Sequence, residues 1–497
     1  MGVIVRKSAK NLIITYIGLA IGYINTLILY PYILTETEIG LIRLLISVSF
    51  LFATFASLGS FSMPGKFFFY FQDDSNQHSG FLFFLIIWSL VGFSLFSIVF
   101  LLFKDIIVNI YIKTSPLLIQ YYYYFIPFVF IALFIGIFKS YIIIQKRPVV
   151  PTFINEVFFR LFIVIGLIIF LMKMFNLNAL ISFIIISYGL GLIILILYTK
   201  SIKSLFLKPN FSIFKSKYFR ELLTFSGFML FGSAGSLLIS NIDGLMLSAY
   251  KGLAQTGIYT IAFFIATVIE IPKRSLVQSV IPFVSESNKN EDFKHLDLLY
   301  KKSSINQLII GSLIFIGIWS NINNLFNLMP HGNIYSAGKW VVFYIGLSKL
   351  FDLATGVNAE IIGTSKYYKY NLVFMMMLGI LAIITNVIFI PKYGMTGAAF
   401  ASAISIFLFN IIVFSFLLIK MRIQPFTFNT LKVLVICGLT YFLNYVIPQQ
   451  YNIVIDIALR SLLIFIFFSG LIIITKSSED INAAILKMIK RLREFIK

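Results

Sequence analysis

Apolar runs long enough to cross a lipid bilayer recur along the whole 497-residue chain, and they constrain the fold more than any other feature. A bilayer core of about 30 Å requires about 20 apolar residues per helix. Every backbone polar group inside lipid must be satisfied within the protein, which leaves helices or closed barrels. The runs are continuous, whereas barrel strands alternate over short segments. The sequence therefore predicts an all-α polytopic membrane protein.

Fourteen spans can be placed along the chain, and Lys and Arg favour the segments on one side of them by roughly five to one. This bias predicts that both ends are cytoplasmic. The amino-terminal apolar run is too long for a signal peptide and is interpreted as an uncleaved first span. The predicted spans cover about 11–33, 40–60, 80–103, 117–145, 150–172, 179–199, 221–250, 254–283, 304–327, 338–363, 368–390, 396–419, 429–447 and 453–475.

The first two predicted spans resemble the seventh and eighth in the order of their sequence features. A shift of 217 residues places Gly18 on Gly235 and Gly40 on Gly257. Internal repetition of this kind is typical of transporters built from two related halves. We expect a six-helix lobe over 1–199, a basic cytoplasmic linker over 200–220, a second six-helix lobe over 221–420, two additional helices over 421–475, and an amphipathic basic cytoplasmic tail over 476–497.

Ionisable residues at membrane depth are costly and usually face a cavity or a partner. Several here have an opposite charge three or four residues away, so that each pair can be neutralised on one helix face. An ion pair with only a structural role is therefore a serious alternative, and we favour it for the last pair. The pairs are Glu156 with Arg160, Glu270 with Arg274, Lys349 with Asp352, and Asp456 with Arg460.

Arg43 and Asp243 have no such partner on their own helices, and they occupy the outer thirds of spans in the two halves. We expect them to pair with each other and to help close an outward gate. Alternatively, Arg43 extends to the outer headgroups. Pro127 and Pro272 are expected to bend spans four and eight, because proline removes a helical hydrogen bond.

The sequence contains no catalytic constellation. A phosphate-binding glycine loop with its lysine is absent, as are a Ser/His/Asp set and metal-spaced ligands. Cys437 is the single cysteine and the three histidines are far apart. We therefore expect no enzymatic activity, no metal and no cofactor. Energy would come from a proton or sodium gradient, the membrane potential or removal of the product.

Several motifs resemble the oligosaccharide and polysaccharide (O-antigen-type) flippases of the multidrug/oligosaccharidyl-lipid/polysaccharide exporter superfamily. They are Glu38–Leu45 after span one, Leu58-Gly59 closing span two, Asp243 in span seven, Thr256–Ala262 opening span eight, Ile271-Pro272 and Ile281-Pro282 further along it, and Pro391–Ala399 between spans eleven and twelve. The motifs cover roughly residues 5–420.

The resemblance implies two lobes around a cavity, alternating access, and transfer of a polyprenyl-diphosphate-linked oligosaccharide from the inner to the outer leaflet. Cavity cations suit a diphosphate. The candidate substrate-binding cations are Arg160, Lys273, Arg274, Lys349 and Arg43. The candidate gating or coupling acids are Asp243, Glu270, Asp352 and Glu156.

The implied setting is a bacterial cytoplasmic membrane, where the protein would be a monomer in contact with anionic lipids and with a polysaccharide polymerase as a possible partner. Binding of nucleic acid is not expected, because the Lys and Arg residues that give the net charge of +21 lie mostly on one side of the predicted spans. A cation-coupled multidrug exporter and a lipid II flippase stay open as alternatives. A polymerase or ligase of the same pathway fits less well, because every predicted outer loop is short.

Overall fold

The computed structural model describes residues 2–73, 77–216, 218–448 and 450–483. Within these ranges the regular structure is helical, without strands. The chain forms two compact units, Met1–Gly257 (unit 1) and Ile258–Lys497 (unit 2).

Unit 1 consists of membrane-length helices joined by short helical segments. Two π-helical turns interrupt it, at Asn25–Leu29 and Ile154–Phe158. The α-helices are α1 Gly2–Ile24, α2 Tyr30–Ile33, α3 Glu36–Ala56, α4 Met63–Phe71, α5 Phe81–Leu102, α6 Lys104–Tyr111, α7 Pro116–Gln120, α8 Phe125–Ile144, α9 Val149–Phe153, α10 Phe159–Leu171, α11 Leu177–Ser201, α12 Phe219–Lys251 and the first turn of α13 Leu253–Thr267.

Unit 2 begins within α13 and continues through a 3₁₀ turn, Val268–Glu270. Its further helices are α14 Ile271–Lys289, α15 Phe293–Ser320, α16 Ile322–Leu328, α17 Gly332–Tyr335, α18 Lys339–Ala354, α19 Asn358–Thr364, α20 Tyr370–Met421, α21 Phe428–Val446 and α22 Ile453–Ile474.

The described residues contain twelve helices that are long and apolar enough to cross a membrane, or thirteen if the bent pair α18–α19 counts as one span. The 52-residue α20 would extend about 78 Å if it were straight, which exceeds any bilayer. It is broken at Gly394, whose φ of 58° and ψ of −134° are not helical. Its two halves correspond to predicted spans eleven and twelve, so a polytopic helical membrane protein is confirmed.

Both prolines lie directly after an interruption of their predicted spans. Pro272 lies in the first turn of α14, directly after the 3₁₀ turn Val268–Glu270. Pro127 lies in the first turn of α8, directly after the 3₁₀ turn Tyr122–Tyr124. Spans four and eight are therefore broken beside their prolines, and in the first turn neither proline removes an intrahelical hydrogen bond.

The starts of α3 and α13 cross with their backbones in contact, within unit 1. A β-carbon at Gly40 would lie 2.2 Å from the carbonyl oxygen of Leu253. A β-carbon at Gly257 would lie 1.9 Å from the carbonyl oxygen of Glu36. Each glycine is the fifth residue of its helix and packs on the first residue of the other. The contact is thus symmetric, and the 217-residue repeat relates its two sides; we name it the glycine crossing.

The helices α21 and α22 pack against α15, where Ile309, Ile436 and Phe468 share one buried cluster. At one end of this cluster Asp456 and Arg460 are almost completely buried and bridged at 3.3 Å. Asn324 donates to Asp456 at 2.5 Å.

The Arg460 guanidinium donates both to the carboxylate of Asp456 and to the side chain and backbone of Asn444. The pair therefore ties three helical segments together, as the structural interpretation predicted. Of the predicted amphipathic tail, residues 484–497 lie outside the described part of the chain.

Candidate functional site

The first span packs against the start of the fifth, because α1 contacts the π turn at Ile154–Phe158 and the π turn at Asn25–Leu29 contacts α10. The side-chain amide of Asn25 donates to the backbone carbonyl of Arg160 at 3.0 Å. Asn25 is buried and opens the π turn of the first span. Such turns often mark functional positions in membrane and soluble helices. Here they hold the start of α10, and with it Arg160, against the first span.

The Arg160 guanidinium is only partly satisfied. Its Nη2 donates to Glu156 at 3.0 Å, and about a quarter of each side chain is exposed. Its Nη1 has no hydrogen-bond partner in the part of the chain that the structure describes. Gly22 makes room for it, since a β-carbon there would lie 3.2 Å from Nη1. The predicted Glu156–Arg160 pair is confirmed, and Nη1 is a buried nitrogen of a partly exposed guanidinium.

Arg43 belongs to the same region of unit 1 as Arg160. The charges of both arginines reach the buried hydroxyl groups of Tyr30 and Tyr188. Arg43 itself is exposed. Two of the five candidate cations are therefore near each other, although they are 117 residues apart in the sequence.

Asp243 is buried in α12, which packs along α3. The next residue, Gly244, faces Leu44, with 3.7 Å between its virtual β-carbon and a Leu44 methyl group. Asp243 therefore lies beside the turn of α3 that carries Arg43. The expected pairing of Arg43 with Asp243 stays a prediction.

In unit 2 two lysines and two acids form crossed ion pairs between helical segments. Lys273 of α14 contacts Asp352 of α18 at 2.5 Å, and Lys349 of α18 contacts Glu270 at 2.5 Å. All four side chains are between about one-sixth and one-quarter exposed. We name this group the crossed-pair cluster.

The same-helix pairing expected for Lys349 with Asp352 is wrong, whereas that of Glu270 with Arg274 stays a prediction. Helical spacing makes such pairs possible, but α14 and α18 lie so close that the partners across the helices are taken instead. The 3₁₀ turn that ends at Glu270 sets the direction of this carboxylate. The side chain of Arg274 lies outside the described residues.

A third acid belongs to this cluster. Glu360 acts electrostatically on Lys273, and its buried Oε2 has no hydrogen-bond partner among the described residues. The described side chains therefore combine three carboxyl groups with two ammonium groups. Such a set can hold or release a proton when one ion pair is disrupted.

Next to the crossed-pair cluster is a buried hydrogen-bond network that sequence reasoning missed. Thr355 and Asn358 both donate to the side-chain oxygen of Asn410, at 2.7 and 3.0 Å. Thr355 also donates to the carbonyl of Asp352 at 3.1 Å. The network fixes the break between α18 and α19 against α20. The available signal was a lone asparagine, Asn410, in an otherwise apolar run.

Among the described residues, no three His, Cys, Asp or Glu side chains are close enough together to hold a metal ion. The expectation that the protein needs no cofactor stays a prediction.

A family model described as "Polysaccharide biosynthesis protein" matches residues 4–288. The capsular polysaccharide biosynthesis protein CapF of Staphylococcus aureus is 26% identical over 198 residues, which are 38% of this chain and 48% of CapF. The chain spans about half the length of the curated relatives it matches.

Two solved structures show the same fold. One is the lipid II flippase MurJ in an inward closed conformation, with a TM-score of 0.75, 17% identity, and coverage of 93% of this chain and 98% of MurJ. The other is an inward-facing multidrug resistance transporter of the MATE family and MOP superfamily, with a TM-score of 0.60, 13% identity, and coverage of 82% and 98%.

Proposed function

The chain belongs to the polysaccharide biosynthesis protein family, and from this premise we propose that it is a lipid-linked oligosaccharide flippase. It is a multi-pass membrane transporter of the fold that MurJ and the MATE exporters share. Its substrate in this proposal is an oligosaccharide linked to a polyprenyl diphosphate, moved from the inner to the outer leaflet by alternating access. The product would supply O-antigen, capsule or exopolysaccharide assembly at a bacterial cytoplasmic membrane.

The observation that supports this proposal best is the crossed-pair cluster at membrane depth. Lys273 and Lys349 are each held by one carboxylate at 2.5 Å, and they remain partly exposed. Ion pairs inside a membrane are costly to build, and a purely structural role is filled equally well by apolar packing. A diphosphate carries more charge than a carboxylate and can replace it on an ammonium group.

Unit 1 offers a second cationic group. The partly exposed guanidinium of Arg160 can donate to a phosphate oxygen, because a guanidinium presents several donors to one anion. The neighbouring charge of Arg43 raises the local attraction for anions. We propose that this group contributes to binding of the diphosphate headgroup during the transport cycle.

Proton coupling follows from the same cluster in this proposal. A carboxylate displaced from its lysine loses the charge that favoured its ionised form, so its pKa rises and it takes up a proton. Glu270 and Asp352 are the acids that a diphosphate would displace, and Glu360 is already close to Lys273. Sodium is the alternative coupling ion.

The rival functions share the fold. A lipid II flippase would carry a related diphosphate lipid, and a multidrug exporter would carry an organic cation. The family model and the name of CapF favour an oligosaccharide.

The proposal can be tested with purified protein in liposomes that contain a fluorescent oligosaccharide on a polyprenyl diphosphate. A membrane-impermeant quencher then reports the fraction that reaches the other leaflet. We expect transport by the native chain. The variant Lys349→Gln with Glu270→Gln, which keeps a hydrogen-bonded pair without charge, should slow transport about 10- to 100-fold, because a hydrogen bond to a charged group contributes about 1.5–3 kcal/mol.

The matched control is Lys104→Gln. Lys104 is also a lysine with one partner, the Tyr123 hydroxyl at 2.8 Å, but it is outside the spans. The control should transport at the native rate.

Two outcomes would favour a rival function. Transfer of lipid II but not of the oligosaccharide would favour a lipid II flippase. Efflux of an organic cation without transfer of either lipid would favour a multidrug exporter.

A further inference from the structure

An elongated apolar groove of about 690 Å³ opens in unit 2, away from the crossed-pair cluster. It is enclosed by α15, α18, the second half of α20, and α21. Trp319, Trp340 and Tyr441 line one end, and Thr355 and Thr430 line the other. The four helices run along it, so its walls consist of their side chains throughout.

The length of the groove follows from the helices that line it. Its lining runs from Leu308 to Trp319 on α15, from Trp340 to Thr355 on α18, and from Thr430 to Tyr441 on α21. At 1.5 Å per residue these stretches measure about 16, 22 and 16 Å. One leaflet of the hydrocarbon core is about 15 Å thick. The groove is therefore long enough for one extended lipid chain.

The end that carries the tryptophans also carries a cation. Lys339 begins α18, and its ammonium group lies 5.4 Å from the centre of the Trp319 ring and 3.0 Å from the side-chain oxygen of Asn323. Tryptophan is enriched at the level of the lipid headgroups. A lysine at this level, at the positive end of a helix, complements a phosphate group.

We propose that this groove is a binding site for a phospholipid, with one acyl chain between α15, α18, α20 and α21 and its phosphate at Lys339. Packing against the four helices holds the chain, because removal from water contributes nothing to a chain that is already in an apolar medium. The acyl chain contacts the face of α18 that lies opposite the crossed-pair cluster. It reaches Thr355, whose hydroxyl group donates to the carbonyl of Asp352. The site is thus a place where membrane lipid supports the helix that carries Lys349 and Asp352.

The single cysteine of the sequence provides the test, because Cys437 lines this groove and is half-buried. The protein is purified in a steroid-based detergent, whose rigid ring system cannot adopt the extended form of an acyl chain. Its reaction with a small maleimide is then timed with and without added phosphatidylglycerol. We expect the phospholipid to slow labelling of Cys437 about tenfold, which corresponds to about 1.4 kcal/mol of binding.

Two glycines give a matched pair of variants. A side chain at Gly438 would extend into the open groove, since no atom lies within 4 Å of its virtual β-carbon. Gly470 of α22 is equally unobstructed but does not line the groove. Gly438→Phe should make the labelling rate insensitive to phosphatidylglycerol, whereas Gly470→Phe should respond as the native chain does. Lys339→Gln should require about tenfold more lipid for the same protection.

Equal labelling rates with and without phospholipid would overturn the proposal. Protection by a polyprenyl phosphate but not by phosphatidylglycerol would also overturn it, and would assign the groove to the tail of a transported lipid. Protection that survives in Gly438→Phe would place the lipid elsewhere on the protein. None of these readouts depends on transport, so they are independent of the proposed function.

Discussion

Replacing Gly40 by alanine inserts a methyl group into the glycine crossing between α3 and α13. The new β-carbon would lie 2.2 Å from the carbonyl oxygen of Leu253, and the reciprocal substitution at Gly257 would place one 1.9 Å from the carbonyl oxygen of Glu36. Both obstacles are backbone atoms that cannot rotate away. The helices must therefore move apart for either substitution to be accommodated.

The magnitude can be worked from these distances. Each oxygen would have to move back by about 1.2–1.5 Å to reach an ordinary contact, which overpacks or opens the crossing at a cost of about 1–3 kcal/mol. We call the crossing closed when the two helices are in contact and open when they are separated. The cost corresponds to a factor of about 5–150 in the ratio of the open to the closed form. Because the two sites are related by the repeat and have the same geometry, the two substitutions should shift this ratio by similar factors.

The assay uses a reporter cysteine at Thr256, which is 1% exposed in the closed crossing. Thr256→Cys is combined with Cys437→Ser, and maleimide labelling is timed with and without Gly40→Ala or Gly257→Ala. Labelling should accelerate by about 5–150-fold in both. Gly244→Ala is the control, because its β-carbon would make only an ordinary 3.7 Å contact.

Two results would refute this reasoning. Unchanged labelling in both alanine variants would mean that the crossing accommodates a methyl group without opening. Labelling rates that differ by more than tenfold between the two variants would mean that the contact is not symmetric in energy, although it is symmetric in geometry.

Two further predictions concern the ion pairs of unit 2. Exchanging the charges at Lys349 and Glu270 should restore most of the transport that either single charge reversal removes. The rate of transport is measured in the two single variants and the double variant. A double variant that transports no better than the single variants would contradict the cross-helix pairing. Arg460→Met should lower the free energy of unfolding by about 3–5 kcal/mol, because it leaves Asp456 buried and unpaired, while adding Asp456→Leu should recover most of that loss. Thermal unfolding checks this second prediction, and an unchanged midpoint in Arg460→Met would exclude a stabilising pair.

Much of the fold could be predicted from the sequence because membrane helices obey local rules. Length, apolar character and the lack of alternation decide where a span lies, and these signals need no knowledge of neighbouring helices. The repeat carried more information. It related Gly40 to Gly257 before any contact was known, and the structure shows that the two packing sites are reciprocal.

The ion pairs were predicted less well, and the reason is physical. Spacing of three or four residues shows that two charges can meet on one helix, but it does not show whether a closer partner is offered by another helix. Glu156 and Arg160 pair on their own helix. The two residues of the first span that contact Arg160 are uncharged: Asn25 contributes a side-chain amide, and Gly22 leaves room for the guanidinium group. Lys349 has an acid three residues away and still pairs with Glu270.

The difference between these pairs depends on what the neighbouring helix brings to the same depth. Where that helix carries no charge, the local pair forms. Where it carries a complementary pair, crossed bridges satisfy all four groups and also bind the helices together. The crossed arrangement adds two ion pairs to the contact of α18 with Glu270 and Lys273, so in the proposed function an anion that competes for Lys273 or Lys349 would also weaken that contact. Helical spacing alone could not have predicted these crossed pairs.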